Sequence, residues 1–144
     1  MGDELGRLAK LGWIAPEPAA DGVRYVASTD CVTISYPEDG FDAFGQGGGS
    51  GFWFDHRAEA VRRKVTCLGI SSMWEVGAGT GAMANRLRGT LTDVTTVEPL
   101  PAGARVSAAL GMTSLCGTLQ DLRLPDESLE SVGVFDVLEH MADD

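Results

Sequence analysis

A glycine-rich turn with an acidic residue on either side is the part of this sequence best suited to chemistry. The turn consists of Gly77, Ala78, Gly79, Thr80 and Gly81. Glycine allows positive φ angles and a close approach of the backbone to a ligand, and a helix that starts after such a turn offers free N–H groups. Glu75 precedes the turn, and Glu98 ends the next apolar segment. These features predict a ligand-binding site at the turn.

The turn by itself fits two kinds of cofactor. Gly77, Gly79 and Ala82 satisfy the GxGxxA form of the dinucleotide fingerprint, and Glu98 follows at about the distance expected of a ribose-binding acid. Glu75 argues against a dinucleotide, because its carboxylate would repel the anionic pyrophosphate. A buried carboxylate is costly unless it meets a cation or several hydrogen-bond donors, so a cationic ligand suits this position. A pair between Glu75 and a nearby arginine is the structural alternative.

The run from Glu75 to Gly81 resembles the first motif of the class I S-adenosylmethionine-dependent methyltransferases, E/D-x-G-x-G-x-G. S-adenosylmethionine carries an ammonium and a sulfonium, which suit the acid at Glu75. Glu98 resembles the acid that grips both ribose hydroxyls in that family. Two further segments, at residues 52–57 (FWFDHR) and 135–141 (FDVLEHM), resemble the aromatic-then-arginine helix start and the "VLEH" segment of one subgroup. Together these matches extend over residues 52–144.

The resemblance implies S-adenosyl-L-methionine as the cofactor and a set of residues that bind it. Where the family commonly has an acid for the adenine amino group, this chain has Gly117 and Thr118. Asp121, or a backbone contact near Thr118 and Leu119, would then recognise the adenine. The implied cofactor-binding residues are Glu75, Gly77, Ala78, Gly79, Thr80, Gly81, Glu98, Thr118, Leu119, Asp121, Phe135 and Asp136.

The chemistry implied is methyl transfer, an in-line displacement at a carbon activated by the sulfonium. The enzyme mainly positions the acceptor and, where the acceptor carries a proton, supplies a base. His140 and Glu139 are the candidate catalytic residues, because they follow a strand at the edge where ligands bind in such sheets. We expect no metal, although Asp136, Glu139 and His140 could form a divalent-metal site. The acceptor is expected to be a small molecule or a component of the cell envelope.

The alternation of elements predicts an α/β fold with a Rossmann-like parallel sheet. A helix is expected from an N-cap at Asp55 to Gly69, with the aromatic residues Phe52, Trp53 and Phe54 packing it onto the domain. Strands are predicted at 73–76, 93–97, 112–116 and 132–137, and helices at 82–88 and 101–110. The resemblance implies the strand order 3-2-1-4. Since strands 5 to 7 of the family are missing before Asp144, we expect little activity from this form.

Residues 1–50 do not follow the Rossmann pattern. We expect an irregular segment with a short β-hairpin or two small strands within Val23–Tyr36 and a glycine-rich hinge at Gly45–Gly51, followed by a partial cofactor-binding domain at residues 51–144. Val132–Val137 has the composition of a buried strand, yet no strand is predicted beyond it. We expect this sheet edge to be covered by Val23–Tyr36 or by a second copy of the chain, as a homodimer.

Composition narrows the class of protein further. The formal net charge is −10, and the one basic cluster, Arg62–Lys64, reads as a solvated helix face, so a nucleic-acid partner is not expected. The sequence has neither a secretory signal nor a run of about 20 apolar residues. Cys31, Cys67 and Cys116 are expected to be free buried thiols in the cytoplasm. An NAD(P)-dependent oxidoreductase domain and a non-catalytic cofactor-binding fragment remain the alternatives.

Overall fold

Five parallel strands form one sheet in the computed structural model, which describes residues 3–27 and 51–140. The order across the sheet is β1-β4-β3-β2-β5, and every neighbouring pair is parallel. The order β4-β3-β2-β5 reproduces the predicted 3-2-1-4, so the predicted α/β fold is confirmed. The strands are β1 (Val23–Tyr25), β2 (Ser72–Val76), β3 (Asp93–Glu98), β4 (Thr113–Cys116) and β5 (Val132–Val134).

The helices are α1 (Glu4–Lys10), α2 (Phe52–Leu68), α3 (Ala82–Leu87) and α4 (Pro101–Ala109), and a one-turn 3₁₀ helix spans Leu138–His140. Helix α2 ends where predicted, at Gly69, which adopts the left-handed conformation with φ 67°. Its start was predicted wrongly. The N-cap is Gly51, and Asp55 lies in the first turn, where its negative charge interacts favourably with the positive end of the helix dipole.

Both faces of the sheet are covered, and alternate residues of each strand point to opposite faces. On one face, Met73 and Val94 pack against α2 and α3. On the other face, Trp74 and Val97 pack against residues near α1 and the loop after β4. The two main clusters of fully or nearly buried side chains are Ala58, Val65, Met73, Met83, Ala84, Leu87, Leu91, Val94 and Met112, and Leu8, Ile14, Trp74, Val97, Leu115 and Leu122.

The β element predicted to begin at Val23 is present as β1 (Val23–Tyr25), but it extends the main sheet in parallel and does not stand apart from it. Val23 pairs with Ser114 of β4 in parallel and is completely buried beside Ala104 and Cys116. The apolar side chain of Val23 is buried because β1 pairs with the outer edge of β4 and α4 contributes Ala104 to the contact. The remainder of the predicted hairpin, from residue 28 onward, and the hinge at residues 45–50 lie outside the described residues.

Strand β5 is shorter and more exposed than predicted. It ends at Val134, and Val132 and Val134 are 45% and 36% exposed. The chain then turns at Asp136, which has a φ of +56°. Since Val23–Tyr25 lies at the opposite edge, the prediction that this segment covers β5 was wrong for its described part. No strand covers the outer side of β5 within residues 3–27 and 51–140, and a homodimer contact there stays a prediction.

Several side chains that the sequence predicted to be buried are exposed in the structure. Phe52 and Trp53 are 83% and 66% exposed, so they do not pack α2 onto the described domain; Phe54 is half-buried. Cys67 is exposed, whereas Cys116 is buried, and burial raises the pKa of its thiol to about 11. Cys31 lies outside the described residues. No helix in the described parts of the chain is long and apolar enough to span a membrane.

Replacing Val23 by Ala tests whether β1 belongs to the folded core. We expect Val23→Ala to lower the free energy of unfolding by about 1–3 kcal/mol, because it removes fully buried methyl groups and leaves a cavity. Urea denaturation followed by circular dichroism measures the change. Val132→Ala, at a half-exposed position of the other edge strand, is the matched control and should change stability by less than about 0.5 kcal/mol. Equal effects of the two substitutions would contradict the assignment of β1 to the core.

Candidate functional site

The glycine-rich turn joins β2 to α3 and needs glycine at three positions. Gly77, Gly79 and Gly81 have φ angles of +65°, +54° and +75°, a region that other residues rarely adopt. The N–H groups of Gly77 and Ala78 donate to the carbonyl of Val97 at 2.8 and 3.3 Å. The turn is therefore fixed to the end of β3, and the helix that follows it starts from a defined position.

Two neighbouring segments approach the turn so closely that no side chain would fit. A Cβ atom at Gly77 would lie 2.4 Å from a methyl group of Val137, in the segment after β5. A Cβ atom at Gly103 of α4 would lie 2.7 Å from the carbonyl oxygen of Gly79 and 3.0 Å from Cγ of Glu98. The turn is thus held between the first turn of α4 and the residues that follow β5.

Glu98 ends β3 and bonds to the backbone around it. Its Oε2 accepts the N–H of Gly79 at 2.7 Å, and its Oε1 accepts the N–H of Leu100 at 2.9 Å. The side chain is buried, and burial raises the pKa of this carboxyl while the two N–H groups lower it. A carboxylate has about four acceptor positions, so two remain for other donors. The predicted contact with ribose hydroxyls stays a prediction.

Glu75 is buried on the sheet face beneath α3, with 3% of its surface exposed. Burial raises the pKa of its carboxyl to about 8; the N–H of Ala84 and the positive charge of Arg57 lower it, and the charge of Glu98 raises it. Its Oε2 has no hydrogen-bond partner in the described part of the chain. Nor does Glu75 form an ion pair with an arginine there, which was the structural alternative. A buried acid with an unused acceptor is suited to a cationic ligand group.

Arg57, in the first turns of α2, belongs to the same site but was not among the predicted site residues. Its guanidinium is close enough to Glu75 to favour the charged carboxylate. One end of the guanidinium, NH1, is paired with Asp136, while the buried Nε has no partner among the described residues. The sequence pattern that could have identified it is the aromatic-then-arginine helix start, in which Arg57 follows Phe54 by three residues. The Phe54 ring centroid lies 5.7 Å from this guanidinium and 5.9 Å from that of Arg86.

The predicted adenine-binding residues lie in the loop after β4. Asp121 accepts the N–H of Thr118 at 3.1 Å and its hydroxyl proton at 2.7 Å, and the N–H of Asp121 donates to the same hydroxyl oxygen. These bonds close a local turn at the carboxyl end of the sheet. Leu119 packs against the apolar cluster that contains Trp74. The structure therefore gives Asp121 a local structural role, and its contact with adenine stays a prediction.

The residues after β5 divide into a partly buried and an exposed group. Phe135 packs against the apolar core, and Val137 lies on Gly77. Asp136, Glu139 and His140 are exposed. They form no group that could hold a metal ion, and none exists elsewhere in the described residues, so the alternative of a divalent-metal site has no geometric support. Glu139 and His140 follow directly on the segment that contacts the turn, and their catalytic role stays a prediction.

Comparison with known proteins places these features in a family. Residues 74–144, about half of the chain, match the family model described as a methyltransferase domain. The matched region begins in β2, just before the glycine turn, and includes both buried acids. Residues 74–144 belong to the class I methyltransferases. No curated protein and no solved structure matches the chain significantly.

The parallel sheet agrees with this family, and so does the strand order from β4 to β5. Within the methyltransferase domain, the turn, Glu75 and Glu98 meet at the carboxyl ends of β2 and β3, where ligands bind in open α/β sheets. Two contributions come from outside the matched region. Arg57 lies on the preceding helix, and β1 adds an edge strand. The subgroup resemblance of residues 52–57 and 135–141 stays a prediction.

The buried carboxyl of Glu75 should make the stability of the domain depend on pH. A pKa near 8 in the folded state, against about 4.5 for an exposed glutamate, means that the folded protein keeps this proton to higher pH than the unfolded chain. Glu75 therefore lowers stability progressively as pH rises from about 5 to about 8. We expect Glu75→Gln to be more stable than the wild type at pH 8, by a free energy on the order of 3 kcal/mol, and nearly equal to it at pH 5.

Urea unfolding at several pH values measures this difference. Asp126→Asn is the control, since it removes an exposed carboxylate, and its difference from the wild type should stay flat across the same range. A difference between Glu75→Gln and the wild type that does not change from pH 5 to pH 8 would show that the carboxyl is not buried as described.

Proposed function

We propose that this chain binds S-adenosylmethionine at the glycine turn and forms the cofactor-binding part of an S-adenosylmethionine-dependent methyltransferase. The observation that supports it most strongly is the unpartnered Oε2 of the buried Glu75 beside the turn. An acid in this environment needs a cation or further donors, and the sulfonium cofactor brings two cationic groups. When bound, it would supply a methyl group on a positively charged sulfur.

The two unsatisfied buried atoms at this site are complementary, since one belongs to an acid and the other to a guanidinium. Glu75 offers an acceptor, and Arg57 offers the donor Nε. The amino acid end of S-adenosylmethionine is a zwitterion with an ammonium and a carboxylate. Glu75 would therefore hold the ammonium, and Arg57 would hold the carboxylate through a charge-assisted hydrogen bond. An uncharged ligand could satisfy neither atom fully.

The nucleoside would lie toward β3 and β4. Glu98 retains acceptor positions after its bonds to Gly79 and Leu100, which suits two hydroxyl donors of a ribose. The loop that contains Thr118, Leu119 and Asp121 follows the adjacent strand β4, so it borders the position expected for adenine. The turn between them has little side-chain bulk, so its backbone would allow a close approach of the cofactor.

His140 and Glu139 are the residues we propose as bases for the acceptor. They lie on an exposed helical turn directly after Val137, which contacts Gly77. A base at this position would take a proton from an acceptor hydroxyl, while methyl transfer itself depends on alignment. We further propose a small molecule or a cell-envelope component as acceptor and the cytoplasm as the compartment.

Titration with S-adenosylhomocysteine and with NADH distinguishes the proposal from a dinucleotide site. Isothermal titration calorimetry at neutral pH should give saturable binding of S-adenosylhomocysteine and none of NADH, because the acid at Glu75 offers an ammonium a partner and an anionic pyrophosphate none. Binding of NADH alone would favour the oxidoreductase alternative. Absence of both would refute the cofactor proposal.

Glu98→Ala should weaken binding of S-adenosylhomocysteine by about 1–3 kcal/mol, since it removes hydrogen bonds from a charged acceptor. The same variant loses the bonds to Gly79 and Leu100, so its stability must be measured in parallel. Glu127→Gln, at an exposed position of the loop before β5, is the matched control and should bind as the wild type does. An unchanged affinity in a folded Glu98→Ala protein would remove Glu98 from the site.

Arg57→Gln tests independently whether Arg57 binds the carboxylate at the amino acid end of the cofactor. We expect it to weaken S-adenosylhomocysteine by about 1.5–3 kcal/mol, the range for hydrogen bonds to charged groups. 5′-Methylthioadenosine has the same nucleoside and sulfur but no amino acid group, so its affinity should not change. A parallel loss for both ligands, measured by calorimetry, would show that Arg57 does not bind the carboxylate.

A further inference from the structure

Asp136 makes an ion pair across the mouth of the site. Oδ2 of its carboxylate accepts from NH1 of Arg57, which is 79 residues earlier in the chain. The Asp136 side chain is 68% exposed, whereas that of Arg57 is 21% exposed. The acid therefore holds the guanidinium from the solvent side.

The guanidinium has two functional ends, and the ion pair uses one of them. NH1 donates to Asp136, while Nε lies on another edge of the same planar group. That Nε is buried and unpartnered in the described part of the chain. A planar, rigid guanidinium that is fixed at NH1 also has the direction of its Nε edge fixed. The ion pair thus leaves the edge that faces the interior available for a second acceptor.

The backbone around Asp136 fixes the position from which its carboxylate pairs with Arg57. Phe135 packs into the core on one side of it, and Val137 packs against Gly77 on the other. Between these two contacts Asp136 adopts a φ of +56°, which aspartate tolerates better than most residues. The exposed side chain of Asp136 therefore lies between two partly buried neighbours that hold the backbone on both sides.

We propose that Asp136 is a positioning residue that orients Arg57 toward the carboxylate of the cofactor's amino acid end, without contacting the cofactor itself. The inference rests on the proposed binding of S-adenosylmethionine. It differs from the role implied by resemblance, in which Asp136 is one of the residues that bind the cofactor. Its consequence is specific: Asp136 matters only for ligands that carry the carboxylate and only while Arg57 is present.

Asp136→Asn is the variant that tests this, since asparagine also tolerates positive φ and only the charge is lost. Calorimetric titration of the folded variant should show about two- to fivefold weaker binding of S-adenosylhomocysteine, the scale of an exposed ion pair. The affinity for 5′-methylthioadenosine should not change. In the Arg57→Gln background, Asp136→Asn should produce no further loss. Asp136→Glu should restore part of the lost affinity.

Asp93→Asn is the control for net charge, because Asp93 is exposed at the opposite, amino-terminal end of β3. It should bind both ligands as the wild type does. If the wild type binds S-adenosylhomocysteine but Asp136→Asn binds it equally well or more tightly, the positioning role is wrong and the proposed function stands. Equal weakening of both ligands by Asp136→Asn would point to a general structural role and also overturn the inference. If the wild type does not bind S-adenosylhomocysteine, the proposed function fails and the inference fails with it.

Discussion

The carboxylate of Glu75 is buried on the sheet face that α2 and α3 cover, and the arrangement of the site follows from how the protein accommodates it. Burial alone disfavours the charged carboxylate, because it separates the group from bulk water. The N–H of Ala84 and the positive charge of Arg57 offset part of that cost. Both groups are in place only because the glycine turn starts α3 directly above Glu75 and because α2 runs beside it.

The cost of burying Glu75 is only partly offset, and the groups left without partners bear on the proposed function. One oxygen of Glu75 and Nε of Arg57 lack partners among the described residues, although both are buried. Most buried polar groups in proteins are hydrogen-bonded, so an unsatisfied acid and an unsatisfied guanidinium in one place support the proposal of a ligand site there. Stability and binding therefore oppose each other at Glu75: a neutral residue would suit the folded chain better, while the acid suits a cationic ligand.

The glycine turn is restrained by contacts that also define the fold. Val97 accepts two of its N–H groups, Glu98 accepts a third, and α4 approaches it at Gly103. A turn that is held from several sides does not have to be ordered when a ligand binds, so less conformational entropy is lost on binding. Because Glu98 takes part in these contacts, the residue expected to meet the ribose also helps to shape the backbone beside it.

Features set by local sequence were predictable. The left-handed glycines of the turn, Pro101 in the first turn of α4 and the alternation of apolar strands with helices each act within a few residues. They were sufficient to predict the alternating elements and the position of both acids, whereas the sheet order from β4 to β5 was implied by the resemblance to the methyltransferases. The family match beginning at residue 74 agrees with that prediction.

Tertiary structure alone decided the features that depend on distant partners. Val23–Tyr25 became an edge strand because β4 offered an unpaired edge and α4 a place for Val23, neither of which is encoded near residue 23. The apolar run after Val132 ended as a strand at Val134, because Phe135 and Val137 pack elsewhere. Phe52 and Trp53 stayed exposed although their composition favoured burial. The pairing of Arg57 with Asp136 joins residues 79 positions apart, and no local pattern specifies such a contact: it forms only when α2 and the end of β5 are brought to the same edge of the sheet.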